Sequence, residues 1–285
     1  MAPESDVAAA WTCPTCKTTV ESPYCPTCGE HPVRPRDLTL RGLLAQLFHA
    51  TSSIDGRLIS SVRCLLTRPG ALTVAYANGP RKLYLGPFQL FLVANVVFVA
   101  AQSLTGMNVF SSPLDSHLHH QDWSPVAQRL VAHRLEAAHS TLERYAPVFN
   151  RSVALHAKSL IILMTVPFSL LLPVVFFAKR KSFGVHVVFA VHVYAFLLFL
   201  ACVSLAMAEI DVLCGGTGLE SAWVDNALSA FNLAACAVYL YLATGTVYGA
   251  KGAARVIASL GLAVAFAAIA LGYRFGLFLF TLYVT

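Results

Sequence analysis

Long apolar runs dominate the chain after residue 84, and short polar segments separate them. Five of these runs stand out, at residues 85–104, 155–178, 185–208, 227–248 and 256–282. A helix needs about 20 mostly apolar residues to cross the hydrocarbon core of a bilayer. The pattern therefore predicts an all-α polytopic membrane protein, with about five transmembrane helices in a membrane domain that covers residues 85–285.

Residues 37–84 have a different pattern, in which apolar positions recur at the period of a helix. A first set lies at Leu40, Leu43, Leu44 and Leu47, and a second at Ile54, Leu58, Ile59, Val62, Leu65 and Leu66. Arg57 and Arg63 lie on the other side of the second helix, which Arg68-Pro69-Gly70 should end. The pattern predicts amphipathic juxtamembrane helices. They either lie in the lipid headgroup layer or pack on the ends of the spans, and these two positions can coexist.

The segment at 105–154 is predicted to be an extracytoplasmic loop that contains one helix, opened by Ser124 and Pro125. The loop also holds a cluster of His and Asp residues, at Asp115, His117, His119, His120 and Asp122. Such side chains can bind a transition metal or respond to pH. Adjacent histidines in a loop impose no ligand geometry, so a solvated loop is the favoured interpretation.

Four of the eight cysteines form two Cys-x-x-Cys pairs, Cys13 with Cys16 and Cys25 with Cys28. Two such pairs can complete a tetrahedral zinc shell with no open position, so we predict one structural Zn²⁺ in a zinc-ribbon-like knuckle at residues 11–32. The alternatives are four unconnected reduced cysteines, or a redox pair, for which the expected βαβ context is lacking. Residues 1–10 should form a disordered tail. MAPESDVAAAW lacks the basic start and apolar core of a secretory signal peptide, so none is expected.

Charge is scarce and unevenly placed. Only 12% of the 285 residues are charged, and the formal net charge is +6; a typical soluble domain has about 25% charged residues. Lys and Arg are frequent before the first run, after the second (179–181) and after the fourth (Lys251, Arg255). The positive-inside rule then predicts a cytoplasmic N-terminus and an extracytoplasmic C-terminus. The 105–154 loop also carries arginines, but the rule is weaker for longer loops.

Several stretches together resemble a known family. They are YCPTCGE, TRPG, GPRKLYLGPFQLFL and the later HVVFAVH, residues 186–192. In this order they resemble the domain-of-unknown-function family 3667, bacterial membrane proteins in which an N-terminal zinc knuckle precedes a multi-pass domain. The resemblance implies a bacterial inner (cytoplasmic) membrane protein, and it brings no activity with it.

The sequence offers five candidate functional polar residues outside the cysteines: Arg68, Arg81, Lys82, His186 and His192. The arginines and the lysine suit phosphate groups at the predicted cytoplasmic interface, and the histidines fall in the third apolar run. His156, Lys158 and Arg274 also fall in or beside apolar runs. For each of these membrane residues, a satisfied hydrogen bond between helices is the competing interpretation.

Three functions remain open at this point. The first is a non-enzymatic protein whose zinc knuckle docks a protein partner or its own helical bundle. The second is a small oligomeric transporter or channel with His192 in a polar cavity. The third is an enzyme that modifies lipid headgroups. The chain contains no HExxH, GxSxG or Walker sequence, so no catalytic residue is assigned. It also lacks the dense basic stripe with interleaved aromatic residues that is typical of nucleic-acid binding, so a nucleic-acid partner is not expected.

Overall fold

A computed structural model describes residues 10–28, 30, 56–79, 81–107, 109 and 111–285. The predicted tail up to residue 9 and the first predicted juxtamembrane helix, from residue 37, lie outside the described residues. So do Gly29 and the last two residues of the predicted knuckle.

The described chain is mostly helical, with one small hairpin near its start. The hairpin strands are β1 (Trp11–Thr12) and β2 (Thr19–Val20). The helices are α1 (Arg57–Thr67), α2 (Ala71–Asn78), α3 (Pro87–Thr105), α4 (Leu114–His119), α5 (Ser124–Ala137), α6 (Leu142–Leu160), α7 (Thr165–Val175), α8 (Phe183–Leu213), α9 (Ala222–Tyr248) and α10 (Gly252–Val284). Short 3-10 turns lie at Arg81–Leu83, Ile161–Met164, Phe177–Lys179 and Gly218–Glu220.

Among the described residues, four helical segments are long and apolar enough to cross a membrane: Arg81–Thr105, Phe183–Leu213, Trp223–Tyr248 and Gly252–Val284. A fifth candidate is a bent pair, Leu142–Lys158 with Ile161–Val175, whose two parts meet at 60°. Large apolar side chains stay exposed along α10, including Ile257 at 71% and Val264 at 64%. Water would oppose such exposure and lipid would not. The chain is therefore a membrane protein.

The bend near residue 160 has a local cause. The 3-10 turn Ile161–Met164 separates α6 from α7, and Pro167 lies in the first turn of α7. Proline has no N–H to donate to the carbonyl four residues earlier, and its ring disfavours a helical residue before it, so a helix starts more easily at proline than it passes through. The sequence placed one kinked span over 155–178; the structure instead has a break one turn before Pro167, while Pro173 stays inside α7.

Two local features depart from the sequence expectations. The Arg68-Pro69-Gly70 turn does end α1, but a further helix, α2, follows it before the predicted turn at residues 78–80. The single helix expected from Ser124 is two helices, because α5 ends at Ala137 and α6 starts at Leu142. His139, between them, has φ +47°, a left-handed conformation that interrupts a right-handed helix.

The chain divides into two compact units. Unit 1 comprises Met1–Ala94, Ser169–Phe199 and Ala234–Leu262, and unit 2 comprises Asn95–Phe168, Leu200–Leu233 and Ala263–Thr285. In unit 1, buried Ser61 joins α1 to the start of α3: its Oγ donates to the Arg57 carbonyl (2.7 Å) and accepts the Leu85 N–H (2.8 Å). The bonds fix the end of the juxtamembrane segment to the first candidate span.

Unit 2 has its own apolar core, which is built from α4, α5, α6 and the end of α10. Its fully buried members include Leu114, Phe149 and Phe278. The Asn150 side-chain oxygen accepts the N–H of Leu114 at 2.8 Å and so caps the start of α4. The segment predicted as a loop is thus a packed helical layer of this unit.

Candidate functional site

The cysteine knuckle is built on the small hairpin. β1 and β2 pair antiparallel, with Trp11 opposite Val20. The first Cys-x-x-Cys turn closes where the Lys17 N–H donates to the Cys13 carbonyl at 2.9 Å. The second pair is closed by the Cys25 N–H, which donates to the Glu30 carbonyl at 2.7 Å. These backbone bonds turn both pairs of side chains toward one point.

The four sulfurs converge as the spacing predicts. All four Sγ atoms lie within 4.8 Å of one another. The Sγ–Sγ distance is 3.5 Å between Cys13 and Cys28, and 3.4 Å between Cys16 and Cys25. A tetrahedral shell with metal–sulfur bonds of about 2.3 Å needs sulfurs about 3.8 Å apart. The group could therefore hold one metal ion after small shifts of the side chains.

The protonation of these thiols is unequal. Hydrogen bonds from the side chain and backbone of Thr18, followed by one from Cys25, lower the pKa of Cys16 to about 6. The backbone of Glu30 lowers the pKa of Cys28, but desolvation and the three other thiols outweigh it and raise that pKa to about 12. Four neighbouring thiols do not easily all lose their protons, because the resulting thiolate charges repel one another. A bound divalent cation offsets this repulsion, because each thiolate then lies next to a positive charge.

Glu30 connects the cysteine knuckle to the start of the first candidate span. Its side chain is only 1% exposed. The carboxylate Oε2 accepts the Thr15 hydroxyl at 2.9 Å, inside the knuckle, and the backbone N–H of Lys82 at 3.2 Å. A buried carboxylate needs such bonds, because they replace the water that it has lost. Glu30 thereby holds the knuckle against the 3-10 turn Arg81–Leu83.

The turn after Arg68 packs very closely on α9. Gly70 has φ +83°, and a Cβ built there would lie 2.9 Å from the Ala243 carbonyl oxygen and 3.0 Å from both Thr246 Cβ and Val247 Cγ2. Only glycine adopts that backbone conformation without strain and leaves the space that α9 occupies. This explains the glycine of the Arg-Pro-Gly sequence in physical terms.

His192 is buried within unit 1. It is 3% exposed on α8, and its Nδ1 lies 2.9 Å from the Thr73 hydroxyl of α2. Two small crevices share its ring. Arg68, Gly70, Thr73 and Tyr239 line one of them among apolar side chains. Arg81, Tyr84 and Tyr76 line the other.

The crevices are narrow. The crevice beside Arg81 has a volume of about 10 Å³, enough for about one water molecule. The crevice beside Arg68 has no room for a water molecule. Arg81 is braced in its crevice: its Nε donates to the Tyr76 carbonyl at 2.9 Å, and its guanidinium lies 4.6 Å from the centre of the Tyr76 ring. Tyr84 lines the same crevice as Arg81, and its side chain is hydrogen-bonded to that of Cys64. Arg68, Arg81, Tyr84 and His192 thus form one constellation, with exposed Lys82 next to Arg81.

His186 belongs to a different cluster in the same unit. Its Nδ1 lies 2.9 Å from the Tyr248 hydroxyl, and its ring also bonds to the backbone of Lys181. Phe176 stacks on the Tyr248 ring with the centroids 4.0 Å apart. His186 thus ties α8 to α9 and to the basic turn. His186 is not among the residues that line the crevices beside Arg68 and Arg81, whereas His192 lines both.

Several of the other ionisable candidates have partners inside unit 2. The Asp115 carboxylate pairs with exposed His119 at 3.0 Å and lies 3.9 Å from exposed His120. His117 separates from this group: it is buried, accepts the Trp123 indole N–H at 3.1 Å, and has its pKa lowered to about 4 by desolvation and then by Arg274. His156 bonds to Thr281, and Arg274 donates to the Val109 carbonyl.

Within the part of the chain that the structure describes, the four cysteines are the only group of three or more His, Cys, Asp or Glu side chains placed to share a metal ion. Sequence reasoning missed Glu30, Thr73 and Tyr248, which position the knuckle, His192 and His186 respectively. Glu30 carried a usable signal, since an acidic residue directly follows the second cysteine pair in YCPTCGE. Thr73 and Tyr248 have no local signal, because their partners are distant in the sequence.

Comparison with known proteins gives one match. No curated protein and no solved structure is similar to this chain. The matched segment runs from residue 55 to residue 99, and it contains α1, α2, the 3-10 turn and the first part of α3. It thus supplies Arg68, Thr73, Arg81 and Tyr84 of the constellation around His192. Over residues 55–99 the chain matches the family described as "Protein of unknown function (DUF3667)", the family that its sequence resembles.

Proposed function

We propose that this chain is a non-enzymatic regulatory protein of a bacterial inner membrane, in which a zinc-loaded cysteine knuckle docks on the chain's own membrane domain. The observation that carries the proposal is Glu30: a buried carboxylate bonded both within the knuckle and to the backbone of the first candidate span. A rigid link of this kind transmits a change in the knuckle to the Arg81–Leu83 turn. A protein partner that engages the knuckle would act through the same link, and Tyr24, 64% exposed there, offers it an aromatic contact.

Zinc is the metal that suits the site. Four thiolates in tetrahedral positions are typical of structural Zn²⁺, and a closed shell leaves no position for substrate or water. Four thiolates around one divalent cation also carry two net negative charges. The loaded knuckle therefore complements the basic turn on which it lies. The metal's role is to hold the knuckle folded.

The proposed orientation places unit 1 toward the cytoplasm. Its described residues include eleven Lys and Arg but only two acidic residues, Glu21 and Glu30, a net charge of +9. The described residues of unit 2 include six Lys and Arg against eight Asp and Glu, a net charge of −2. Positive residues flanking membrane spans favour the cytoplasmic side. The charges support a cytoplasmic N-terminus and, with five spans, an extracytoplasmic C-terminus.

This orientation predicts the behaviour of reporter fusions. An alkaline phosphatase domain, which folds only outside the cytoplasm, is expected to be active when fused after Thr285. A cytoplasm-dependent fluorescent protein at the same position is expected to be dark. The reverse pair of results would overturn the orientation, and fusions after Lys181 provide the opposite-side control.

The docking role of Glu30 predicts the effect of Glu30→Ala. The substitution removes the acceptor of the Lys82 N–H and the Thr15 hydroxyl, and loss of a buried hydrogen-bond partner costs about 1–3 kcal/mol. We expect hydrogen exchange at residues 81–85 to be about 5 to 150 times faster in the full-length protein, with zinc still bound. Mass spectrometry of exchanged peptides measures this rate.

Glu21→Ala is the matched control, because Glu21 is an exposed carboxylate of the same knuckle. It should leave exchange at residues 81–85 unchanged. If Glu30→Ala retained zinc and also left that exchange unchanged, the knuckle would not be docked through Glu30, and the proposed regulatory link would fail.

The transporter or channel alternative has weaker support. It requires a polar cavity at His192, yet the space beside that ring holds about one water molecule and its Nδ1 is engaged by Thr73. A solute pathway through such a site would need a second conformation or an oligomer of this chain. Enzymatic modification of lipid headgroups would need room for a headgroup beside Thr73 and His192, yet both side chains are buried and the adjacent space holds about one water molecule. The arginines of that constellation fit binding better than catalysis.

A further inference from the structure

The exposed face of α1 has an unusual composition for a surface helix. Ile59, Arg63 and Leu66 follow one another at intervals of four and three residues, so they share one face. Ile59 is 75% exposed and Leu66 is 46% exposed, and Arg63 is exposed between them. The opposite face, with Ser61, Cys64 and Leu65, is buried in unit 1. α1 therefore packs on the protein and presents a second apolar face outward, with a cation in its middle.

The 3-10 turn at the start of the first candidate span repeats this combination. Leu83 is 49% exposed and adjoins exposed Lys82. An apolar side chain next to a cation is the arrangement that meets a bilayer interface, where acyl chains and phosphates lie side by side. Both apolar elements and both cations belong to the first 94 residues of unit 1.

The constellation described above includes Arg68, which directly follows α1, and Arg81 of the 3-10 turn itself. Half-buried Arg81 and Tyr84 line one of the two crevices beside His192, and exposed Arg68 lines the other. The carboxylate next to the turn, Glu30, is buried against the Lys82 backbone and offsets one of the three nearby cationic charges. Even with the two negative charges of a loaded knuckle, the described residues of unit 1 keep a net charge of about +7.

We propose that Arg68, Arg81, Lys82 and Tyr84 bind the phosphate of an anionic phospholipid, whose acyl chains lie along Ile59, Leu66 and Leu83. Guanidinium groups recognise phosphate through paired charge-assisted hydrogen bonds, and a phenol hydroxyl adds a further donor. The apolar neighbours favour a lipid over a free phosphate ion, because only the lipid has acyl chains that can pack against them. This site goes beyond the proposed regulatory role, and it does not depend on the metal in the knuckle.

The test uses full-length protein in detergent, mixed with phosphatidylglycerol in a phosphatidylcholine background, and native mass spectrometry counts the retained lipid. Arg68→Gln and Arg81→Gln are each expected to weaken phosphatidylglycerol binding about tenfold, the effect of losing a hydrogen bond to a charged group. Arg68 is exposed, so its variant should fold even if the Arg81 variant, which loses its bond to Tyr76, does not. Lys181→Gln, which removes the same charge from an exposed turn of the same unit, should bind as the parent does.

A second arm separates the two sources of phosphate. Inorganic phosphate at millimolar concentration should fail to displace the lipid. Displacement by phosphate would identify the ligand as a free anion and overturn the lipid assignment. If Arg68→Gln and Lys181→Gln weakened lipid binding equally, binding would follow overall charge alone, and the site would be overturned. If Arg68→Gln left lipid binding unchanged, Arg68 would not take part, and the site would also be overturned.

Discussion

Replacing Cys25 with serine is expected to empty the metal site, from about one zinc ion per chain in the parent protein to none. The Cys25 sulfur is buried and lies 3.4 Å from that of Cys16. Structural zinc contributes about 10–16 kcal/mol to the folding of small modules, so a shell that loses one thiolate should also lose its fold. Elemental analysis of reduced, purified protein measures the metal. Limited proteolysis should show new cleavage within residues 11–28.

Cys214→Ser is the matched control. Cys214 is exposed, unpaired with another cysteine, and far along the chain from the knuckle. Its substitution should leave both the zinc content and the proteolysis pattern unchanged. A parent protein that carries no metal when kept reduced would contradict the zinc assignment. Protection of residues 11–28 that persisted in Cys25→Ser would contradict the dependence of the fold on metal.

Gly70→Ala is expected to produce a large loss of stability for so small a substitution. The left-handed backbone at φ +83° costs a residue with a Cβ about 1–2 kcal/mol. Overpacking against the α9 backbone adds about 1–3 kcal/mol, and the Ala243 carbonyl cannot turn aside as a flexible side chain could. The combined loss of about 2–5 kcal/mol should appear as a clear drop in the apparent Tm of detergent-solubilised protein.

Gly261→Ala provides the comparison within the same unit. Gly261 lies inside α10, and a Cβ there would meet nothing within 4 Å. Because alanine is the better helix former by about 0.5–1 kcal/mol, this variant should match or exceed the parent in Tm. If both variants had the same Tm as the parent, the close seating of the Arg-Pro-Gly turn on α9 would be wrong.

Cys25→Ser and Gly70→Ala test the two ends of one connected region. The cysteine knuckle meets the 3-10 turn through Glu30, and the same turn leads into α3, whose start is bonded to α1 through Ser61. The α1–α2 turn then packs on α9 at Gly70. The segment that matches the family, residues 55–99, contains all of these contacts except the knuckle and α9 themselves. The matching segment therefore includes the contacts that join α1, the 3-10 turn and the start of α3.

Some features of this protein followed from the sequence alone. Apolar runs of about 20 residues predicted membrane helices, and four long helices with one bent pair confirm a membrane protein. The Cys-x-x-Cys spacing predicted a group of four convergent thiols, and the sulfurs lie within 4.8 Å. The Arg-Pro-Gly sequence predicted the end of α1. Each of these rests on neighbours within about one or two turns of chain, where periodicity and backbone restrictions act directly.

Only the tertiary structure decided which polar side chains meet. Thr73 and His192 are 119 residues apart in the chain, and His186 and Tyr248 are 62 apart. The two histidines on α8 are six positions apart, so they point in different directions and enter different clusters. His117 likewise looked like part of an exposed His and Asp cluster until α4 placed it in the core of unit 2. Local pattern predicts which residues share a helix face, but the partner of that face depends on how distant helices pack.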